Sequence, residues 1–197
     1  MGNNILITIG SLIVLGLFTL SSNTMITQNT QIMLQSEHYI TAIALAQSLI
    51  DEAKTKSFDE KTANKSVAKP ESLTTMASLG SDGAAEAIGI DYVDLSTTKR
   101  VINDDSYYIP GGQTVIPSSG TSQSQTKYDD VDDYNYYTRI VKTPGSGVDT
   151  IRTIVTYASI TYPDSAKSTQ TFCKKMKIVI SGQYLPRPFT LEYAYIY

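Results

Sequence analysis

The chain has 197 residues, 18% of them charged, and a formal net charge of −3, enough for one globular domain beyond a long helix. No basic face marks it for nucleic acid, and the single cysteine, Cys173, rules out an intrachain disulfide. There is no Trp, but there are 14 Tyr, a side chain that suits half-buried strands and subunit interfaces.

The chain opens on an apolar run, Ile5 to Leu20, with no charged residue before Glu37 and no basic one before Lys54. Beyond it Ile32, Ile40, Ile43, Ala46, Ile50 and Ala53 recur at helical spacings and predict one stripe along a helix continuing to Phe58. About 55 helical residues would reach ~80 Å, more than a compact monomer can use. Such a rod needs a membrane or other copies of itself. A secretory signal would carry a positive n-region, and a membrane anchor would carry flanking Lys or Arg and ~20 apolar residues. Met1-Gly2-Asn3-Asn4 supplies no positive charge, and Ile5–Leu20 spans only about 24 Å. A leader removed before Met1 would account for this, and an uncleaved anchor with unusual flanks is the alternative. Ser21 to Gln31 is poor helix material, because Ser, Thr and Asn offer the backbone competing hydrogen bonds. A break within Gly16–Asn29 is expected in an assembled state.

The segment Ala44–Glu60, ALAQSLIDEAKTKSFDE, resembles the amphipathic half of the N-terminal helix in type IV pilin-like proteins. It is most similar to minor pilins and pseudopilins, including those of the mannose-sensitive haemagglutinin pilus. Asp129–Tyr134, DDVDDY, resembles a second segment of the same minor pilins. The family's glutamate near the start of the apolar helix has no counterpart here; Asn3, Asn4 and Ile5 stand in that region.

Ser57 to Pro110, with Pro70, Gly80, Gly83 and Gly89, reads as the irregular linker that pilin-like proteins insert between helix and sheet, with short helices near Ser72–Leu79 and Ala84–Ile88. Gly111–Thr126, rich in Ser, Gly and Gln, reads as an exposed loop. Four strands follow: Tyr134–Lys142, Ile151–Tyr162, Phe172–Ser181 and Phe189–Tyr197, with a PGSG turn between the first two. In the third, Phe172, Met176, Ile178 and Ile180 share one face, and Cys173, Lys175, Lys177 and Val179 the other. In the last, Phe189, Leu191, Tyr193, Tyr195 and Tyr197 alternate with Thr190, Glu192, Ala194 and Ile196. The predicted fold is α+β, an antiparallel meander packed on the second half of the helix. Its parts are the helix at 1–58, an irregular region at 59–127 and the sheet at 128–197.

Catalysis has little to work with. His38, the sole histidine, falls in mid-helix and reads as an exposed position, and neither a G-x-S-x-G motif, a phosphate loop nor a His/Cys cluster occurs. An enzyme is not expected. The one group with ligand chemistry is Asp129, Asp130, Asp132 and Asp133, whose hard oxygens could hold Ca²⁺ although the spacing is not that of an EF-hand. Some pseudopilins carry calcium in this part of the fold. A solvated turn, or neutralisation by Lys174, Lys175 and Lys177, are the other readings.

The resemblance implies a structural subunit of an extracellular type IV pilus-like filament or pseudopilus, held in the inner membrane before assembly and at the cell surface after it. The partner is a second copy of the chain, met through Ile5, Leu6, Ile9, Gly10, Leu12, Ile13, Val14, Gly16, Leu17 and Leu20; Gly10, Ser11 and Gly16 would allow close helix approach. The alternative is a monomeric membrane-anchored extracytoplasmic binding domain.

Overall fold

The structure, a computed structural model, describes residues 2–80, 90–95, 99–102, 107–109, 113–115, 129–145 and 147–197. It divides into two compact units, Met1–Tyr39 and Ile40–Tyr197. Helix α1 runs without interruption from Gly2 to Lys54, 53 residues in all, or about 80 Å of helix. It is followed by a single-turn helix, α2 (Glu60–Ala63), capped by Asp59, whose side chain accepts from the Lys61 backbone N–H. Two 3₁₀ turns come next, Pro70–Ser72 and Met76–Ser78, in place of the helix expected near Ser72–Leu79. The helix expected at Ala84–Ile88 lies outside the described residues.

Among the described residues the larger sheet has six strands in the order β2-β1-β5-β6-β7-β8. Its second half is the expected antiparallel meander: β5 (Thr138–Thr143), β6 (Gly147–Tyr157), β7 (Cys173–Gly182) and β8 (Phe189–Ile196). The β5–β6 hairpin is tighter than expected, because Gly145 and Gly147 adopt φ of 81° and 79°, a region open to glycine at little cost. Strand β6 therefore begins at Gly147 instead of Ile151, and Asp132–Tyr134 forms a 3₁₀ turn before β5 instead of its first residues.

The stretch expected to be irregular contributes strands of its own. Strand β1 (Ile90–Asp94) adds to the sheet in parallel with β5, Asp91 opposite Arg139, and β2 (Lys99–Ile102) pairs with β1. A separate hairpin joins β3 (Tyr107–Ile109) to β4 (Gln113–Val115), so part of the expected Gly111–Thr126 loop is strand. These segments are three to five residues long and too short for a period of two to stand out from noise.

One face of the sheet is closed by the last turns of α1. Ala42, Ala46, Leu49, Ile50 and Ala53 are buried against Val141, Ile151, Val155, Met176, Ile178, Ile180 and Tyr195. The stripe is displaced from the expected one. Ala46, Ile50 and Ala53 face the sheet, whereas Ile40 and Ile43 remain 66% and 47% exposed. The small Ala42, Ala46 and Ala53 let the helix axis approach the strands, and Leu49 and Ile50 fill the space between them. Tyr195 adds a hydroxyl bond to the Ile50 carbonyl at 3.3 Å.

Leu49→Ala should therefore lower the unfolding free energy by about 2–5 kcal/mol, the cost of an unfilled site in a close-packed core. Ile40→Ala in the dispersed chain should change it by no more than ~0.5 kcal/mol. Denaturant titration of both variants checks the assignment of the helix face. Equal losses would contradict it.

Candidate functional site

Two features carry the functional chemistry: the apolar first half of α1, and a set of charges buried where α1 ends.

In the unit Met1–Tyr39 every side chain from Asn4 to Ser21 is exposed. This includes all ten expected assembly residues, Ile5, Leu6, Ile9, Gly10, Leu12, Ile13, Val14, Gly16, Leu17 and Leu20; Val14, for example, is 66% exposed. An added Cβ at Gly10 or Gly16 would touch nothing within 4 Å, so neither glycine is required by the fold of the single chain. The Ser/Thr-rich stretch does not open the helix. Thr8, Thr19, Thr24, Thr27 and Thr30 each donate their hydroxyl to the carbonyl four residues earlier, at 2.6–2.9 Å. Ser11 donates to Thr8 at 2.9 Å. These polar groups are satisfied within the helix, which extends the uncharged span from Leu20 to at least Ile26. That gives 22 residues from Ile5, about 33 Å, matching the ~30 Å hydrocarbon thickness of a bilayer. The chain thus has a helix long and apolar enough to cross a membrane. The expected break in Gly16–Asn29 is not present in the single chain.

The two segments quoted for the pilin resemblance lie together. Ser57 forms a parallel bridge with Asp130, its N–H donating to the Asp129 carbonyl at 2.9 Å and its carbonyl accepting from Val131 at 3.0 Å. Asp129 is exposed; Asp130, Asp132 and Asp133 are buried. Asp133 Oδ2 accepts from the N–H groups of Asp129 and Asp130 at 2.8 and 3.2 Å, and Asp130 Oδ1 from those of Asp132 and Asp133 at 2.8 and 3.1 Å. One oxygen each of Asp130 and Asp133 thus holds the backbone of the turn itself.

The cation is Lys174. It stands on the inward face of β7 between Phe172 and Met176, fully buried. Its three N–H bonds go to Asp132 Oδ1 at 2.6 Å, Asp59 Oδ2 at 2.8 Å and the Phe58 carbonyl at 2.8 Å. Asp59 also takes the Thr74 N–H at 3.1–3.2 Å, the Thr74 hydroxyl at 3.0 Å and the Tyr157 hydroxyl at 3.2 Å. Burial raises the Asp59 pKa, but the Lys174 charge and these donors outweigh it and hold the carboxyl below its ordinary range. Burial, then the hydrogen bond and charge of Asp132, push Asp130 up to about 10, so Asp130 keeps its proton at neutral pH. Of the other lysines considered, Lys175 pairs with Glu192 at 2.9 Å, and Lys177 points to solvent. Among the described residues no group of three or more His, Cys, Asp or Glu side chains is placed to hold a metal ion.

A second buried network joins α1 to the sheet. Arg139 on β5 donates to both oxygens of Glu52 at 3.0 and 2.9 Å and to Asp91 on β1 at 2.9 Å. Tyr137 donates to Asp91 at 2.5 Å, and Tyr134 to Glu52 at 3.1 Å. Burial works against the Arg139 charge, yet Tyr137, Glu52 and Asp91 together raise its pKa above the ordinary guanidinium value. This cluster is not legible in the sequence, because Asp91 lies in a stretch that reads as linker; Glu52 beside the apolar helical face is its one local sign. His38 is partly exposed, on the helix.

Comparison with protein-family models, with curated proteins and with solved structures finds no match for this chain.

The raised Asp130 pKa sets a pH dependence. The folded state binds this proton more tightly than the unfolded state, whose value is near 3.8. Its contribution to stability is therefore complete below that value and is lost as pH rises toward the folded pKa. Asp130→Asn keeps the acceptor Oδ1 and a donor N–H without a titrating proton. Its unfolding midpoint should decline less than that of the parent between about pH 5 and about pH 9. Parallel profiles would contradict the assignment.

Proposed function

We propose that the chain is a structural subunit of an extracellular type IV pilus-like filament or pseudopilus, assembled through the apolar first half of α1. The observation that carries this reading is the exposure of every side chain from Ile5 to Leu20 on a helix much longer than residues 40–197 need for their core. Left in water, each buried-type side chain of this kind forgoes about 1.5–3 kcal/mol, so the segment requires an apolar environment. A bilayer supplies it before assembly, and helices of neighbouring copies supply it afterwards. Gly10 and Gly16, open on the helix surface, suit close helix–helix approach. The resemblance of Ala44–Glu60 and Asp129–Tyr134 to minor pilins supports the same reading, and the two segments' contact at Ser57 and Asp130 accounts for their common occurrence in one chain. No catalytic role is assigned. Lys174, Asp59, Asp130, Asp132 and Arg139 are buried, and their hydrogen bonds tie the chain together.

Val14→Asp should abolish filaments seen by electron microscopy while residues 40–197 stay folded, because an unpaired buried charge costs several kcal/mol. Circular dichroism reports the fold of the variant. Filaments that form normally with Asp at this position would overturn the proposal. Parent protein that is retained in membranes and never forms filaments would instead support a monomeric, membrane-anchored binding domain.

A further inference from the structure

Lys174 is a primary amine sealed in the interior with two carboxyl groups in direct contact. Its Nζ lies 2.6 Å from Asp132 Oδ1 and 2.8 Å from Asp59 Oδ2. The rings of Phe58 and Tyr157 stand over it, with centroids 4.9 and 5.6 Å away. All three charged side chains are fully buried. An amine and a carboxyl group held together in this way are the reactants of an amide bond. Fixed proximity replaces the bimolecular encounter, and conversion of a desolvated ion pair into a neutral amide removes two buried charges that are costly to desolvate.

The two carboxyls are not equivalent. Asp59 is saturated by donors from Lys61, Thr74 and Tyr157 besides Lys174, which stabilises its carboxylate and makes it a poor electrophile. Asp132 accepts from Lys174 through Oδ1, while its Oδ2 is buried with no ordinary donor. The Asp130 Oδ2 is likewise without one, and burial together with neighbouring Asp132 raises the Asp130 pKa.

We propose that Lys174 and Asp132 react with each other to form an intramolecular isopeptide bond from Nζ to Cγ, cross-linking β7 to the 3₁₀ turn at Asp132–Tyr134. In the step, one ammonium proton crosses the 2.6 Å contact to Asp132 Oδ1, leaving a neutral amine and a neutral acid. The amine lone pair adds to Cγ, and the protonated Asp130 carboxyl donates to Oδ2 as negative charge develops there. A second proton from nitrogen, relayed by Asp59 Oδ2 at 2.8 Å, passes to Oδ1, which leaves as water as the C–O bond breaks. Oδ2 becomes the amide carbonyl, and nitrogen keeps one hydrogen. Ammonium plus carboxylate gives amide plus water; Asp59 and Asp130 end as they began, and no outside reagent is consumed. The bond closes a loop between residues 42 apart.

Intact-mass spectrometry of the purified full-length chain tests this. The expected mass is about 18 Da below that of the sequence, one water, with fragment ions that join Lys174 to Asp132. Lys174→Arg, which keeps the charge and cannot form the bond, should have the full mass of its sequence. Parent protein at full sequence mass after prolonged incubation overturns the proposal. A water loss that persists in Lys174→Arg, as an imide at Asp82-Gly83 would give, overturns it too, and fragment ions joining Lys174 to Asp59 overturn the choice of electrophile.

Discussion

A single ammonium group at Lys174 fixes the arrangement of the unit formed by residues 40–197. It bonds to Phe58 and Asp59 just after α1, and to Asp132 in the turn before β5, from a position on β7. Three stretches remote in sequence are thereby held at one point. A buried lysine without partners would cost several kcal/mol, as would buried aspartates without a cation, so each makes the others tolerable. Asp59 is held further by the backbone N–H groups of Lys61 and Thr74, by the Thr74 hydroxyl and by Tyr157. Because such a site has fixed geometry and a steep penalty for error, it specifies how helix end, turn and strand meet. The hydrophobic contact of Leu49 and Ile50 with Ile178 and Ile180 supplies much of the driving force but would tolerate more slippage.

The Arg139 network does the same further along the sheet. Glu52 from α1 and Asp91 from β1 converge on one guanidinium, whose planar fork donates to both carboxylates at once. With this clamp β1 takes its place beside β5, in parallel, across an intervening segment of more than forty residues. Both networks draw on α1 or the residues just after it, so the last turns of the helix are part of the fold of residues 40–197.

Much of the architecture is legible in the sequence. Alternation in Phe172–Ser181 and Phe189–Tyr197 marks β7 and β8, since one buried face imposes a period of two, and the uncharged opening marks the helix. What escapes is of two kinds. Short strands such as β1 and β2 take their identity from pairing partners far away in the chain, which local pattern does not encode. Lys174 breaks the apolar face of β7 between Phe172 and Met176 and so resembles an interruption; its meaning depends on Asp132 and Asp59, 42 and 115 residues distant. The acidic run Asp129–Asp133 was visible, but whether it meets water, a metal or a lysine is decided by tertiary structure. The helix is the converse case. Its Ser/Thr stretch looks weak by propensity, yet α1 is continuous there, and Thr24, Thr27 and Thr30 satisfy their hydroxyls on carbonyls four residues back.

The central claim is that Lys174 holds the end of α1, the Asp132 turn and β7 together, and its removal tests this most directly. Lys174→Met preserves the volume and the aliphatic stem but leaves Asp59 and Asp132 buried without their cation. Equilibrium unfolding of the full chain, with parent and variant compared at neutral pH, should show a loss of about 3–5 kcal/mol or more, the cost of breaking one side of a buried ion pair. A variant as stable as the parent would contradict the account.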